Sequence, residues 1–245
     1  MSNLIGIGLS GLKSHQTALS VTGNNVANTN TPGYSRQEAI FVDNPSQLTG
    51  AGYVGQGANI STIRRNAEEF INSQVRSDTT IYNERSVFLG QAESVDNLLA
   101  SATTGLTPAM NNFFKAFQGG ADDPTSIPQR QLLLSQTEGL ISRFKSLDTR
   151  LNDQMRTIDF ELEGAVSEIN SLSQGLAKLN QSISVAVGSG GGDQPNSLLD
   201  QRDQALKKLS EFVTVSTFPG SSPGELNVWS AFGTREYCSQ AASSS

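Results

Sequence analysis

Cysteine, histidine and tryptophan are almost absent from this sequence, which has one of each among its 245 residues. The single cysteine, Cys238, excludes an intrachain disulfide and a cysteine-rich metal site. The single histidine, His15, has no acidic residue within 20 positions of it in the sequence, so a catalytic triad is not expected. We therefore predict that the protein is not an enzyme and that it uses no metal and no cofactor.

The sequence also lacks an excess of positive charge. Lysine and arginine number 17 against 23 acidic residues, and the net charge is −6. The longest basic runs are the pairs Arg64-Arg65 and Lys207-Lys208. A surface that binds nucleic acid or an anionic membrane needs a basic face. We therefore predict that neither of these is a partner.

Long apolar runs are missing as well. No run approaches the roughly 18 residues that a membrane-spanning helix needs, so no membrane span is expected. The first basic residue is Lys13, and no small-residue cleavage site follows an apolar segment. A cleavable signal peptide is therefore not expected, and if the protein leaves the cell it must use another route.

Apolar and aromatic residues are scarce for a chain of this length. They make up 36% and 7% of the sequence, and the mean hydropathy is −0.30. Such a composition favours helices with narrow apolar seams over a thick core. The predicted fold class is mainly α: an elongated helical bundle with a long coiled-coil helix, a separate N-terminal assembly helix and small β-hairpin segments.

The clearest periodicity begins at Leu151, where ten consecutive positions that step alternately by 4 and 3 are all apolar. This spacing is that of a coiled-coil seam, and it predicts one continuous helix over 151–186 that is buried along the seam. The seam comprises Leu151, Met155, Ile158, Leu162, Ala165, Ile169, Leu172, Leu176, Leu179 and Ile183.

A second, weaker seam lies in a predicted helix over 3–27. Gln16 and Gly23 interrupt it, and isolated helices of this length are marginal in water, so this helix needs a partner. It could pack on the body of its own chain or form an interface between subunits. We predict the interface, because an asparagine-rich tract and a turn separate the helix from the body. The interface residues are Ile5, Leu9, Leu12, Leu19 and Val26.

Residues 24–37 read Asn-Asn-Val-Ala-Asn-Thr-Asn-Thr-Pro-Gly-Tyr-Ser-Arg-Gln. Asparagine and threonine side chains compete with helical hydrogen bonds, so the tract should end the helix. Proline followed by glycine fits a type II turn with the glycine at positive φ. The residues that define this turn are Asn25, Asn28, Thr31, Pro32, Gly33 and Tyr34.

Turn and cap signals divide the rest of the chain. Strands are predicted over 34–42 and 58–65 around a glycine-rich bend, and again over 213–218 and 225–231. Further helices are predicted over 67–100, from an N-cap at Thr107 to Gly119-Gly120, and over 195–211. The predicted parts are 1–34, the helix and turn; 35–66, a β-hairpin-like connector; 67–212, the helical bundle; and 213–245, a short β segment with a divergent, truncated tail.

Two motifs suggest chemistry, and both have a simpler explanation. Gly6-Ile-Gly8-Leu-Ser-Gly11 matches G-x-G-x-x-G, but too few residues precede it for the strand that a dinucleotide site requires. Asp200 and Asp203 are spaced by three on a predicted helix, as a pair of catalytic carboxylates could be. In a chain this lean, ion pairing within or between helices is the favoured interpretation.

Three separated segments carry a resemblance to a known family. They are Asn24–Gln37 behind Ser10-Gly11-Leu12; Asn112-Phe113-Phe114-Lys115-Ala116-Phe117; and Asn196–Gln204. Together they resemble bacterial flagellar axial proteins (rod, hook and hook-associated proteins), and specifically those of the hook–filament junction. The resemblance implies a structural subunit that stacks into a tubular layer and leaves the cell uncleaved through the flagellum's type III apparatus.

The resemblance also implies partners. These are other copies of the chain, hook protein, the second junction protein and the filament, plus an export chaperone at a C-terminus that this chain is expected to lack. Two alternatives stay open, which are another rod or hook axial protein and a cytoplasmic coiled-coil scaffold. A scaffold would explain the seam but not the Asn-Thr-Pro-Gly-Tyr tract.

Overall fold

The computed structural model describes residues 2–50, 52–100, 105–189 and 193–230. Within them the chain forms five α-helices and three two-stranded antiparallel hairpins, which confirms the predicted mainly α fold with small β segments. The predicted divergent tail beyond residue 230 and Cys238 lie outside the described residues. The elements are α1 (Ser2–Ala27), β1 (Gln37–Asp43), β2 (Gln47–Thr49), β3 (Gly52–Val54), β4 (Ala58–Arg65), α2 (Glu69–Ala100), α3 (Leu106–Asp122), α4 (Ile127–Ser189), α5 (Asn196–Leu209), β5 (Val215–Pro219) and β6 (Leu226–Ser230).

The first hairpin pairs β1 with β4, as the two predicted strands suggested. Gln37 lies opposite Arg65, and Asp43 lies opposite Ala58. The register shifts by one residue at a bulge between Ile40 and Phe41. The glycine-rich bend between these strands contains a second small hairpin, β2–β3, which the sequence analysis did not predict.

Helix α3 differs from its prediction at both ends. Its N-cap is Gly105, without a side-chain cap, and the predicted cap Thr107 lies inside the first turn. The helix also continues through Gly119-Gly120 to Asp122. A glycine inside a helix costs only about 1 kcal/mol relative to alanine, so burial of nearby side chains such as Ala116 can offset it.

Helix α4 is one continuous helix of 63 residues and contains the predicted 151–186 segment. The chain divides into two compact units within this helix and within α2. One unit comprises the described residues up to Ile81 together with those from Ile169 onward, and the other is Tyr82–Glu168. The four-part division proposed from the sequence stays a prediction.

The core of the first unit lies where the end of α4 meets α5 and the β5–β6 hairpin. Its buried cluster consists of Leu176, Leu206, Leu209 and Val213. Half-buried apolar residues surround the cluster: Ile169, Leu172, Ala205, Val215, Leu226 and Val228. Among the described residues of Tyr82–Glu168, the buried apolar side chains are those of Ala116 and Leu147.

The seam of α4 is therefore buried over only part of its length, which corrects the prediction of burial throughout. Leu176 and Ile183 are 1% and 0% exposed, and Ile169, Leu172 and Leu179 are half-buried. The earlier members Leu151, Met155, Ile158 and Leu162 are all exposed, and Ala165 is half-buried. Heptad spacing shows which side of a helix seeks a partner, but the described residues supply one only from Ile169 onward.

This difference gives a matched test within one helix. Leu176→Ala should lower the free energy of unfolding by about 2–5 kcal/mol, since it leaves a cavity in the core. Met155→Ala removes a seam residue that is 64% exposed and should change it by less than about 0.5 kcal/mol. Urea unfolding followed by circular dichroism measures both, and equal losses would contradict the division of the seam.

Candidate assembly interface

Helix α1 carries two stripes with the same 4-3 spacing, and they lie in different surroundings. The first stripe is mostly small or polar, with Ile7 and Val21 as its larger apolar members, and it packs on the β1–β4 hairpin, where Ser14 and Val21 are buried. The hydroxyl of Ser14 donates to the carbonyl of Ala58 (3.1 Å). This packed stripe consists of Ile7, Gly11, Ser14, Ala18, Val21, Asn25 and Asn28.

The contact between α1 and the hairpin is close enough to require a glycine. Gly57 has a φ of +86°, and a Cβ at this position would lie 3.3 Å from the backbone of Ile7. Nearby, the rings of His15 and Phe41 lie 5.5 Å apart. The argument that the turn keeps this helix away from its own body was therefore wrong, because α1 folds back along β1 and β4.

The second stripe contains the predicted interface residues, and the hairpin does not cover it. Ile5, Leu9, Leu12, Leu19 and Val26 are between 49% and 73% exposed. Leu4, the residue before Ile5, lies outside the 4-3 spacing and is 77% exposed. The helix thus packs mostly small and polar residues against the hairpin and leaves most of its large apolar side chains at the surface.

The signature turn reverses the chain between α1 and β1. The amide of Tyr34 donates to the carbonyl of Thr31 (3.2 Å), and Gly33 has a φ of +77°, as a type II turn requires. At the end of α1, Thr31 donates from its hydroxyl to the Asn28 side chain, and Asn28 donates to the carbonyl of Asn24 (3.0 Å). The tract therefore ends the helix by the side-chain competition that its composition predicted.

Asn25 joins the helix to the strand that follows. Its amide nitrogen donates to the carbonyl of Gln37 (2.8 Å), and its oxygen accepts from the Gln37 amide (2.9 Å). The same oxygen accepts from the Tyr34 hydroxyl (2.9 Å). One side chain thus takes the place of a neighbouring strand at the start of β1.

Two acids of α5 hold the turn and the hairpin on the core. One oxygen of Asp200 accepts from the backbone amide of Ser35 (3.1 Å), and the other accepts from the Arg65 guanidinium (3.2 Å). Arg65 also pairs with Asp203. These side chains are mostly buried, with 12%, 9% and 18% exposed for Arg65, Asp200 and Asp203. Ion pairing at the two acids was predicted, but their partner comes from a strand and not from a helix.

Two amides on the same side of α5 bind backbone groups of the same segments. Asn196 donates to the carbonyl of Ile63 (2.7 Å), and Gln204 donates to the carbonyl of Pro32. Helix α5 thus uses four side chains to fix the turn and the end of β4, and we call these contacts the joint. The sequence signal for the joint was the predicted ion pairing of Asp200 and Asp203, but nothing in the sequence indicated which segments these acids would hold.

Arg202 lies between the two acids in sequence but faces a different segment. It is buried and donates to the carbonyl of Gly224 (2.7 Å) in the β5–β6 turn and to Asn180 (3.4 Å). Burial lowers the pKa of its guanidinium, and the charge of Asp203 opposes that change. In the segment Asp200–Asp203, the arginine therefore binds the β5–β6 hairpin of the core. The two acids bind the turn after α1 and the end of β4.

The described residues do not form a metal site, a membrane-spanning helix or a nucleophile elbow. No cluster of three or more His, Cys, Asp and Glu residues there could hold a metal ion. Among those residues, no helix is long and apolar enough to cross a membrane. Gly220-Ser221-Ser222-Pro223-Gly224 matches G-x-S-x-G, but it joins β5 to β6, whereas a nucleophile elbow joins a strand to a helix.

Gly33→Val should disturb the joint without unfolding the core. A β-branched residue at positive φ costs about 1–3 kcal/mol. A Cβ would also overlap the side chain of Gln204, which can move only by losing its bond to Pro32. Amide exchange should quicken over 24–37 and stay slow around Leu176. Gly33→Asn isolates the backbone cost, because it also places a Cβ against Gln204 but asparagine tolerates positive φ. It should disturb the joint less than valine does, and equal effects of both would contradict the contribution of the positive φ.

A second prediction concerns alkaline pH. Burial, with a further contribution from the Asp200 charge, raises the pKa of the Tyr34 phenol. The folded chain therefore holds this proton more tightly than the unfolded chain. The resulting stability is complete below about pH 10 and is lost as the pH rises through the raised pKa. Urea unfolding should show a smaller alkaline loss for Tyr34→Phe than for wild type. Tyr53→Phe on the exposed β3 should behave as wild type, and identical pH profiles for all three would refute the role of Tyr34.

Two family models match separate parts of the chain, one the helical region and the other the N-terminal helix with its turn. The family model for the flagellar hook-associated protein FlgK helical domain matches residues 92–235, more than half of the chain. The model for the flagella basal body rod protein matches residues 5–34, which contain most of α1 and the signature turn.

Individual relatives agree with these matches. Flagellar hook-associated protein 1 of Escherichia coli strain K12 is 36% identical over 218 residues, which cover 88% of this chain and 39% of that protein. The Bacillus subtilis strain 168 protein of the same name is 30% identical over 87% of this chain and 43% of its own length. This chain therefore spans about two-fifths of the length of these relatives.

A solved structure, that of the flagellar hook junction protein FlgK from Burkholderia pseudomallei, is also similar. It aligns with a TM-score of 0.58 at 26% identity, over 64% of this chain and 27% of that one. The fold, the two family-model matches and the relatives all agree on the same family. The chain belongs to the flagellar hook-associated protein FlgK family.

Proposed function

We propose that this chain is a structural, non-enzymatic subunit of the bacterial flagellum that joins the hook to the filament, with α1 forming contacts between subunits. The observation that carries the proposal is the exposed stripe of α1. Five apolar side chains with coiled-coil spacing lie at the surface while the opposite stripe is packed. Such spacing fits a second helix that crosses α1 at a shallow angle.

The energetics favour assembly through this stripe. Full burial of one Leu, Ile or Val side chain contributes roughly 1.5–3 kcal/mol. Five of them would contribute on the order of 10 kcal/mol before the loss of motional freedom on association is subtracted. Lys13 is the one lysine, arginine or acidic residue within α1, so copies of this helix would meet with little charge repulsion.

The partners and the location follow from the same role. We expect the neighbours to be other copies of the chain, hook protein, the second junction protein and the filament, in the extracellular part of the flagellum. Export without a cleavable signal, through the type III apparatus, belongs to the proposal as well. The names of the relatives, which refer to the hook and its junction, support this assignment over a rod protein.

A cytoplasmic coiled-coil scaffold is the second candidate, and the exposed part of the α4 seam favours it. Leu151, Met155, Ile158 and Leu162 could form a parallel pair with another chain. A scaffold would be a dimer in free solution, and Leu162→Glu would dissociate it. Sedimentation of the purified chain as a monomer at micromolar concentration would exclude this candidate.

The proposed role predicts that charges on the exposed stripe block assembly without unfolding the protein. Leu12→Glu with Leu19→Glu, introduced into the gene that encodes this chain, should abolish motility and release filament protein into the medium. Both residues are exposed, so the melting curve of the purified variant should change little. Motility on soft agar and immunoblots of the culture medium provide the measurement.

The matched control is Thr17→Glu with Ser20→Glu, which adds the same two charges to exposed positions of α1 outside both stripes and should leave motility normal. An immunoblot for the variant itself separates failed assembly from failed export. Normal motility with the doubly substituted helix would overturn the assignment of the stripe as an assembly surface.

A further inference from the structure

Residues 2–65 hold together mainly through contacts among themselves. Helix α1 packs along the β1–β4 hairpin, with Ser14 bonded to Ala58 and Asn25 bonded to both backbone groups of Gln37. Val21, a buried apolar side chain of this segment, lines a groove together with residues of β1. We call this segment, which comprises α1, the turn and the first hairpins, the N-terminal arm.

The arm shares no side chain with the apolar core cluster within the described part of the chain. That cluster is formed by α4, α5, Val213 and the β5–β6 hairpin. In the described residues, the arm contacts α5 through polar groups, namely the ion pairs of Arg65 and the bonds to the backbone of Pro32, Ser35 and Ile63. A polar contact fixes direction well but adds less stability than an apolar core.

The joint is also incompletely packed. A cavity of about 170 Å³ lies between the turn, α2 and α5, and Arg76 and Lys207 line it together with Asp200 and Asp203. Arg76 is buried and bonds to Glu69 and Thr217, so its charge is partnered away from the two acids. Arg65 is thus the cation that directly pairs with both acids.

We propose that Asp200 and Asp203 form a latch that fixes the direction of the arm, and that loosening this latch turns the arm as one rigid body. The core and the arm keep their own structures because neither depends on the joint for its internal contacts. The latch then determines the angle at which the exposed stripe of α1 is presented. This inference concerns the free chain and does not depend on the proposed role in the flagellum.

Distances between spin labels in the full chain test the proposal. In a Cys238→Ser background, Lys13→Cys paired with Ser221→Cys measures the arm against the β5–β6 turn of the core. Lys13→Cys paired with Ser61→Cys measures α1 against β4 within the arm. All three sites are exposed, so labels should not disturb packing. Asp200→Asn with Asp203→Asn should broaden and shift the first distance distribution and leave the second unchanged.

The control is Asp193→Asn, which removes an exposed acid just before α5 and should change neither distribution. Unchanged distributions in the latch variant would overturn the role of the two acids. Broadening of both would overturn the rigid arm, because α1 would then separate from its hairpin. If circular dichroism shows that the double variant is unfolded, Asp203→Asn alone, at the more exposed carboxylate, is judged by the same outcomes.

Discussion

The placement of the N-terminal segments depends on the carboxylate of Asp200. Its two oxygens bond to two segments that are far apart in sequence, the backbone at Ser35 and the guanidinium of Arg65. A carboxylate that is 9% exposed is stable only when it is paired, so this burial requires both partners to be present together. The turn and the end of β4 are therefore fixed to the same helix by one side chain.

Apolar and polar groups have separate tasks around this joint. Leu176, Leu206 and Leu209 supply the stability of the core, and the joint supplies direction. Helix α1 follows a similar division, since five of the seven residues of its packed stripe are small or polar. Most of its larger apolar residues are exposed, so they add little to the stability of their own chain and are available to bind a partner.

The sequence was informative wherever structure is local. The 4-3 spacing predicts the 151–186 part of α4, and the Pro-Gly pair predicts the positive φ at Gly33. The sequence was less informative about which segments pack against each other. Two stripes on α1 share a period, and a search for apolar residues finds the exposed one, because Gly11, Ser14 and Ala18 of the packed stripe carry little apolar surface. The pairing of Arg65 with Asp200 joins residues 135 apart in sequence, and no periodicity encodes it.

The early part of the α4 seam and the exposed stripe of α1 both have apolar residues with heptad spacing that lie at the surface. A heptad pattern states that a helix needs a partner, but it does not state that the partner lies in the same chain. From Ile169 onward the described residues provide that partner, and there the seam is buried or half-buried. Along Leu9, Leu12 and Leu19 they do not. An exposed apolar stripe with regular spacing therefore indicates association with another chain, because the same residue types and spacing form the core where a partner lies within the chain.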